Sequence, residues 1–264
     1  MKDTAITIRS VDKTFHTPSG DVQAIDDVSF DIAKGEFVAL IGPSGCGKST
    51  LLRILAGLTS ATSGEVELDG ETIREPHPQV GMVFQSYASF PWLTVLQNTL
   101  FGPDLHDVAR KDSEPLAREI LDRVGLSRFI DAYPTQLSGG MQQRVAIART
   151  LANRPDVLLM DEPFGALDAL TRVDMQELIL RLWQEERKTV VFVTHDIDEA
   201  IYLADRIVVL SPHPGRLHEI DTVDLPRPRT METIEDPRFT EMRLHLRRTL
   251  FAMKDQPVDA GVPV

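Results

Sequence analysis

At 264 residues, 42% hydrophobic and 26% charged with no low-complexity tract, the chain suits one large α/β domain or a domain with a sizeable insertion. No apolar run approaches the roughly 18–20 residues that cross a bilayer, the start Met1–Thr7 lacks the apolar core of a signal peptide, and the single cysteine excludes an internal disulfide, which suits a reducing cytosol. A net charge of −12 repels nucleic acid and anionic lipid at long range, so an anionic ligand needs a locally positive site.

Taken in chain order, Ile6–Arg9 reads as a strand, followed by the turn Pro18–Asp21 and the strands Val22–Asp26 and Val28–Ile32. Phe37–Ile41 is a continuous apolar run, the pattern of a strand covered on both faces. It leads into Gly42, Pro43, Ser44, Gly45, Cys46, Gly47, Lys48, Ser49 and Thr50, which fill every fixed position of the phosphate-binding pattern G-x-x-x-x-G-K-[ST]. Leu51, Leu52, Ile54 and Leu55 follow at helical spacing, so the motif sits between a strand and a helix, as it must. The glycines let consecutive N–H groups wrap around phosphate oxygens, and the helix start adds the positive end of its dipole. Lys48 is expected to reach the β- and γ-phosphates and the Ser49 hydroxyl to ligate Mg²⁺. The pattern therefore implies a nucleoside triphosphate.

Gly64–Gly70 alternates and ends in an Asp-Gly turn, and Val80–Phe84 is a further buried strand. From about 94 to 133 the chain becomes helical and more polar, with several breakers. Buried strands at Val157–Met160 and Val190–Val193 bracket an amphipathic helix in which Met175, Leu178, Ile179 and Leu182 share one face. Ile207–Leu210 is a last core strand. Beyond Pro212 proline becomes frequent, and a short terminal helix is expected around Phe239–Met253. Its stripe Phe239, Met242, Leu246 and Leu250 is expected to pack on the rest of the fold.

The strand at 157–160 runs into Asp161 and Glu162. Successive side chains of a strand point to opposite sides, so the pair can divide its labour. Asp161 can hold Mg²⁺, and Glu162 can face a nucleophilic water as general base. An acidic pair that merely starts a turn is the other reading. Leu137–Arg144 then resembles the L-S-G-G-Q signature of the ATP-binding-cassette (ABC) family. Ser138, Gly139 and Gly140 precede Val145, Ala148 and Ala152 at helical spacing, a helix N-terminus able to bind phosphate or simply capped by its serine.

The resemblance covers about residues 4–253. It implies a P-loop NTPase (RecA-like) α/β core with an N-terminal antiparallel β-subdomain and an inserted α-helical subdomain. The expected divisions are 4–84, 85–136, 137–211 and a C-terminal extension at 212–264. It also implies that the signature serves the ATP of a second copy, giving a head-to-tail homodimer with ATP and Mg²⁺ at the interface. Phe15 falls where the family places an adenine-stacking aromatic, Gln85 where a glutamine senses Mg²⁺ and the attacking water, and Asp168 in the loop that crosses the dimer interface. His195 matches the histidine that contacts the γ-phosphate. Met141 departs from the family by replacing the last glutamine of the signature; Ser138 and the glycine N–H groups should make hydrolysis independent of it. Cys46 reads as a small packing residue whose modification would block ATP.

Such a cassette pair closes either on membrane partners or around nucleic acid. A second cassette and a long coiled coil are lacking, and the acidic charge disfavours nucleic acid, so transport is expected. Phe90, Trp92 and Leu93 surround a proline early in the helical subdomain, placed to receive a helix of a membrane permease or to form a small local core. The wording of Pro91–Val95, Pro226–Arg229 and Asp236–Phe239 looks like the nitrate/sulfonate/taurine importer branch. That branch implies two permease subunits, an extracytoplasmic solute-binding protein as an indirect partner, and a peripheral place on the cytoplasmic face of the membrane. An organic sulfonate leads taurine, nitrate, bicarbonate and thiamine-precursor pyrimidines as solute; an exporting or nucleic-acid-associated ABC ATPase is the alternative.

Overall fold

The computed structural model describes residues 3–86 and 88–254. In chain order the elements are β1 (Thr4–Thr17), β2 (Gly20–Ala33), β3 (Phe37–Ile41), α1 (Lys48–Leu55), β4 (Ser63–Leu68), β5 (Glu71–Thr72) and β6 (Val80–Val83). Then follow α2 (Val95–Leu105), α3 (Arg110–Arg123), α4 (Gly139–Leu151), β7 (Val157–Asp161), α5 (Ala169–Glu186), β8 (Thr189–Val193), α6 (Ile197–Leu203), β9 (Arg206–Leu210), β10 (Leu217–Thr222) and α7 (Pro237–Lys254). Two compact units divide them. One draws on the chain up to His77 and again from Thr189 onward, the other on Pro78–Lys188.

In the first unit β2-β1-β4-β5 form an antiparallel sheet, the β-subdomain expected from the sequence. The segments Val22–Asp26 and Val28–Ile32 are one strand rather than two. Asp27 sits between them in a left-handed conformation (φ 47°), its N–H donating to Asp12 Oδ1 at 3.1 Å. The pairing with β1 shifts register at that point, between Val11↔Val28 and Lys13↔Ile25. A bulge bends a strand without ending it, and a polar residue inside one reads from sequence as a break. Parallel pairing joins β3 to β8 and to β9, and β10 closes the far side antiparallel to β9. Every residue of β3 and β8 is buried, as strands covered on both faces require.

In the second unit β6 pairs parallel with β7, and α2, α3 and α4 pack on one another. Leu100, Leu121, Val145, Ile147 and Leu159 form its core. On α5, Met175, Leu178, Ile179 and Leu182 are buried, the face that the periodicity indicates.

Candidate functional site

In the first unit β3 delivers the chain to Gly42 and α1 begins at Lys48, so the glycine-rich segment is a strand-to-helix turn. Gly47 has φ 88°, and a Cβ there would lie 2.4 Å from Ile25 Cδ1 and 2.7 Å from Ala24 O. Only glycine fits so close a turn at positive φ. No side chain caps α1 and its first turn holds no acidic residue, so the positive end of the helix is not neutralised by a carboxylate of its own. Lys48 is only 7% exposed. Its Nζ donates to Gly42 O (2.9 Å) and Pro43 O (3.1 Å), so the cation is folded over the loop it serves. Cys46 is fully buried in the same turn, with Lys48 Nζ 3.7 Å from its Sγ, and burial pushes its thiol up against the opposing pull of Lys48. It is a packing residue, and a closed thiol of this kind is a poor target for modification.

His195 follows β8 and is exposed. The backbone around it is fixed by Thr194, whose hydroxyl donates to Glu199 Oε2 (2.6 Å) and accepts from Asp196 N (3.0 Å). A cavity of about 230 Å³ is lined by Gly42, Pro43, Ser44 and His195, with Arg247 and Phe251 of α7 on its other side. Ser44 and Gly45 are exposed, and Ser49 and Thr50 are half-buried in the first turn of α1. Phe15, on β1, is 40% exposed, and Lys13 Nζ stands 4.9 Å from its ring centre.

In the second unit β7 carries Asp161 at its end, buried, with Glu162 half-buried just beyond. Glu162 adopts φ 43°, a conformation uncommon outside glycine and often met at functional positions. The Gln85 amide nitrogen reaches Glu162 Oε2 at 3.4 Å, so two residues far apart in sequence meet. Gly165 lies against both: a Cβ there would be 3.8 Å from Glu162 Oε2 and 3.9 Å from Gln85 Nε2. Taken singly, Ser49 of the first unit offers a hydroxyl, and Asp161 and Gln85 of the second a carboxylate and an amide oxygen, oxygen donors of the type magnesium takes.

The signature behaves as a helix start. Ser138 is exposed and caps α4, accepting from Met141 N at 3.3 Å; Gly139 is half-buried. Gly140 is buried where a Cβ would fall 2.3 Å from Thr171 Cγ2. Asp168 is exposed and caps α5 through Leu170 N and Thr171 N, both 3.1 Å. The Thr171 hydroxyl, 2.7 Å away, is the main cause that holds its carboxyl below the usual range.

Phe90 is half-buried, its ring 4.4 Å from Phe101 and 5.5 Å from Trp92. Trp92 is 70% exposed, Leu93 half-buried, and Tyr87 lies outside the described residues. The turn has an organiser that sequence reasoning missed. Asn98 of α2 is fully buried, accepts from Phe90 N (2.8 Å) and donates to Phe90 O, Leu93 O and Thr94 O. Arg149 of α4 donates to Ala88 O (2.5 Å) and stands 5.2 Å from the Phe90 ring. An asparagine amid the apolar positions of a helix is the signal that could have marked Asn98.

A family model described as ABC transporter matches residues 25–165. The chain belongs to the ABC transporter family. The aliphatic sulfonates import ATP-binding protein SsuB of Bacillus cereus is 49% identical over 238 residues, spanning 90% of this chain and 92% of that protein. The taurine import ATP-binding protein TauB of a Jannaschia species is 44% identical over 261 residues, 96% of each. Among solved structures, a dimeric ATP-binding cassette in a post-hydrolysis state with ADP and Pi is 36% identical, with a TM-score of 0.72, covering 83% of this chain and 98% of that one. The cassette described here is an ATPase, built on the mixed α/β fold of its family.

Proposed function

We propose that this ABC cassette energises import of an organic sulfonate or taurine, as a head-to-tail homodimer bound to two membrane permease subunits. The Gln85–Glu162 contact carries the hydrolytic part of the reading. Glu162 is held by a neighbour that can turn its amide oxygen to a water. The Glu162 carboxylate takes a proton from that water as its oxygen attacks the γ-phosphorus; the bond to ADP breaks, and phosphate and ADP leave. Lys48 and the uncapped start of α1 hold the β- and γ-phosphates, and His195 contacts the γ-phosphate. Phe15 stacks on the adenine. Ser49, Asp161 and Gln85 would hold Mg²⁺, which neutralises phosphate charge when bound.

Ser138 and Gly139, outward-facing at the start of α4, complete the pocket of a second copy, and Asp168 lies at the same interface. The dimeric form of the related cassette supports this arrangement. The names of the sulfonate and taurine relatives support import and the solute class, and an extracytoplasmic binding protein would then deliver the solute. Among the described residues no helix is long and apolar enough to cross a membrane, so attachment to the cytoplasmic face would come through the permease. A cavity of about 510 Å³ in the second unit, lined by Met82, Phe90, Phe101, Leu105 and Arg149 beside exposed Trp92, offers an apolar seat for a permease helix.

Two measurements test the reading. Glu162→Gln should retain ATP and lower its hydrolysis by about 10²- to 10⁴-fold; wild-type turnover would remove Glu162 from its role. Deleting the gene should abolish uptake of labelled taurine or alkanesulfonate, restored by the wild type and not by Glu162→Gln. Undiminished uptake of both solutes would reject the solute class while leaving the ATPase intact.

A further inference from the structure

Three polar side chains of the first unit stand together away from the nucleotide machinery. Glu219 and Asp221 are two residues apart on β10 and so share one face of the strand. His245 of α7 meets that face. Its Nε2 lies 3.3 Å from Glu219 Oε1 and 3.5 Å from Asp221 Oδ1, and one ligand atom from each residue lies within 4.8 Å of the others. Glu219 Oε1 and Asp221 Oδ2 are shut off from solvent and accept no well-formed hydrogen bond, Oε1 having only the His245 contact. Leaving shielded acceptors unpaired is costly, and two carboxylates side by side add repulsion. Burial first, then the Glu219 charge, raises the Asp221 carboxyl above its ordinary range, with His245 opposing.

We propose that Glu219, Asp221 and His245 form a binding site for a divalent transition cation of the zinc class, joining β10 to α7. Imidazole nitrogen and carboxylate oxygen bind zinc at about 2.0–2.2 Å, and a tetrahedron of such bonds has edges of roughly 3.3–3.5 Å, the spacing between His245 Nε2 and its two neighbours. A set of one imidazole and two carboxylates suits zinc, whereas magnesium and calcium demand more oxygens. An ion held by Glu219 Oε1, Asp221 Oδ1 and His245 Nε2 would give the shielded Glu219 oxygen a strong partner without a new protein donor. The ion would also fasten the helix that carries Arg247 and Phe251 to the cavity beside Gly42–Ser44 and His195.

The test is calorimetric titration of zinc into the untagged, chelator-treated full chain without nucleotide. The expected result is one zinc per chain. His245→Ala and Glu219→Gln should each weaken binding by at least about tenfold while keeping the wild-type circular dichroism spectrum. Zinc should raise the Tm of the wild type and leave that of either variant in place. The surface pair His16–Asp21 is untouched by these changes and serves as the internal control. Zinc binding that both variants preserve overturns the site. No stoichiometric binding overturns it as well, leaving a contact between His245 and the two carboxylates that holds no ion.

Discussion

The starts of α1 and α4 are both glycine-rich helix N-termini assigned to phosphate, yet they are built in opposite ways. At α1 no side chain caps the helix, and the one cation of the motif is buried and turned back onto the loop's own carbonyls. At α4 the serine already accepts from its own helix and faces solvent, and Ser138–Met141 include no cation. The first is a positive helix start beside a buried lysine, suited to a polyanion within one chain. The second is a self-sufficient corner with one thing to offer: a hydroxyl whose lone pair is engaged can still donate its proton. A strong, private site and a weak, outward one are what a nucleotide sandwiched between two copies needs, because binding to one chain should precede closure with the other.

That contrast can be broken first at Lys48. Lys48→Ala removes charge-assisted hydrogen bonds worth roughly 1.5–3 kcal/mol each, so ATP affinity of the isolated chain should fall about ten- to hundredfold. Equilibrium binding of a fluorescent ATP analogue measures it, and an unchanged Kd would mean that the start of α1 suffices without the lysine. Ser138→Ala should act elsewhere. ATP affinity of the monomer should hold, while hydrolysis, if the proposed pair performs it, should drop about tenfold for one lost hydrogen bond to a charged oxygen. Loss of the cap should also cost about 1 kcal/mol of stability. If monomer affinity fell as far as with Lys48→Ala, the two helix starts would serve one nucleotide of one chain, and the contrast would be false.

Both candidate sites could be marked from sequence because each consists of contiguous residues whose types and spacing the proposed chemistry dictates. What the sequence hid depends on contacts across the chain. Asn98 looks like an ordinary helix residue until the turn at Phe90–Thr94 folds onto it. The Pro-Arg-Pro-Arg229 stretch read only as a mark of one importer branch. In the fold both its arginines close the C-terminus of α6: Arg229 Nη1 donates to Ile201, Tyr202 and Ala204 carbonyls, and Arg227 to Leu203 O and Asp205. Cations there complement the helix dipole. Burial, with Arg227 beside it, lowers Arg229 to about 10, so it still carries its charge at neutral pH. The stripe on α7 was legible as a packing face, with Phe239 and Leu246 fully buried and Met242 and Leu250 partly so. The strand break at Asp27 was a misreading, because a bulge and a turn look alike in one dimension.

The smallest effect is the sharpest probe of the outward corner. Met141 stands where the family has glutamine, and a glutamine side chain there could reach toward a phosphate. The geometry assigns the position a different duty: its backbone N–H binds Ser138 Oγ, and any side chain supplies that N–H equally well. Met141 is half-buried at the first turn of α4, so a change to glutamine neither empties a core nor strands a buried polar group. Met141→Gln should therefore alter steady-state ATPase by no more than about twofold, the scale of a neutral surface substitution. A gain of tenfold would show that a side-chain amide adds a phosphate contact the methionine forgoes. The corner would then be weaker in this chain than its family requires, and the contrast with α1 would arise in part from this one residue.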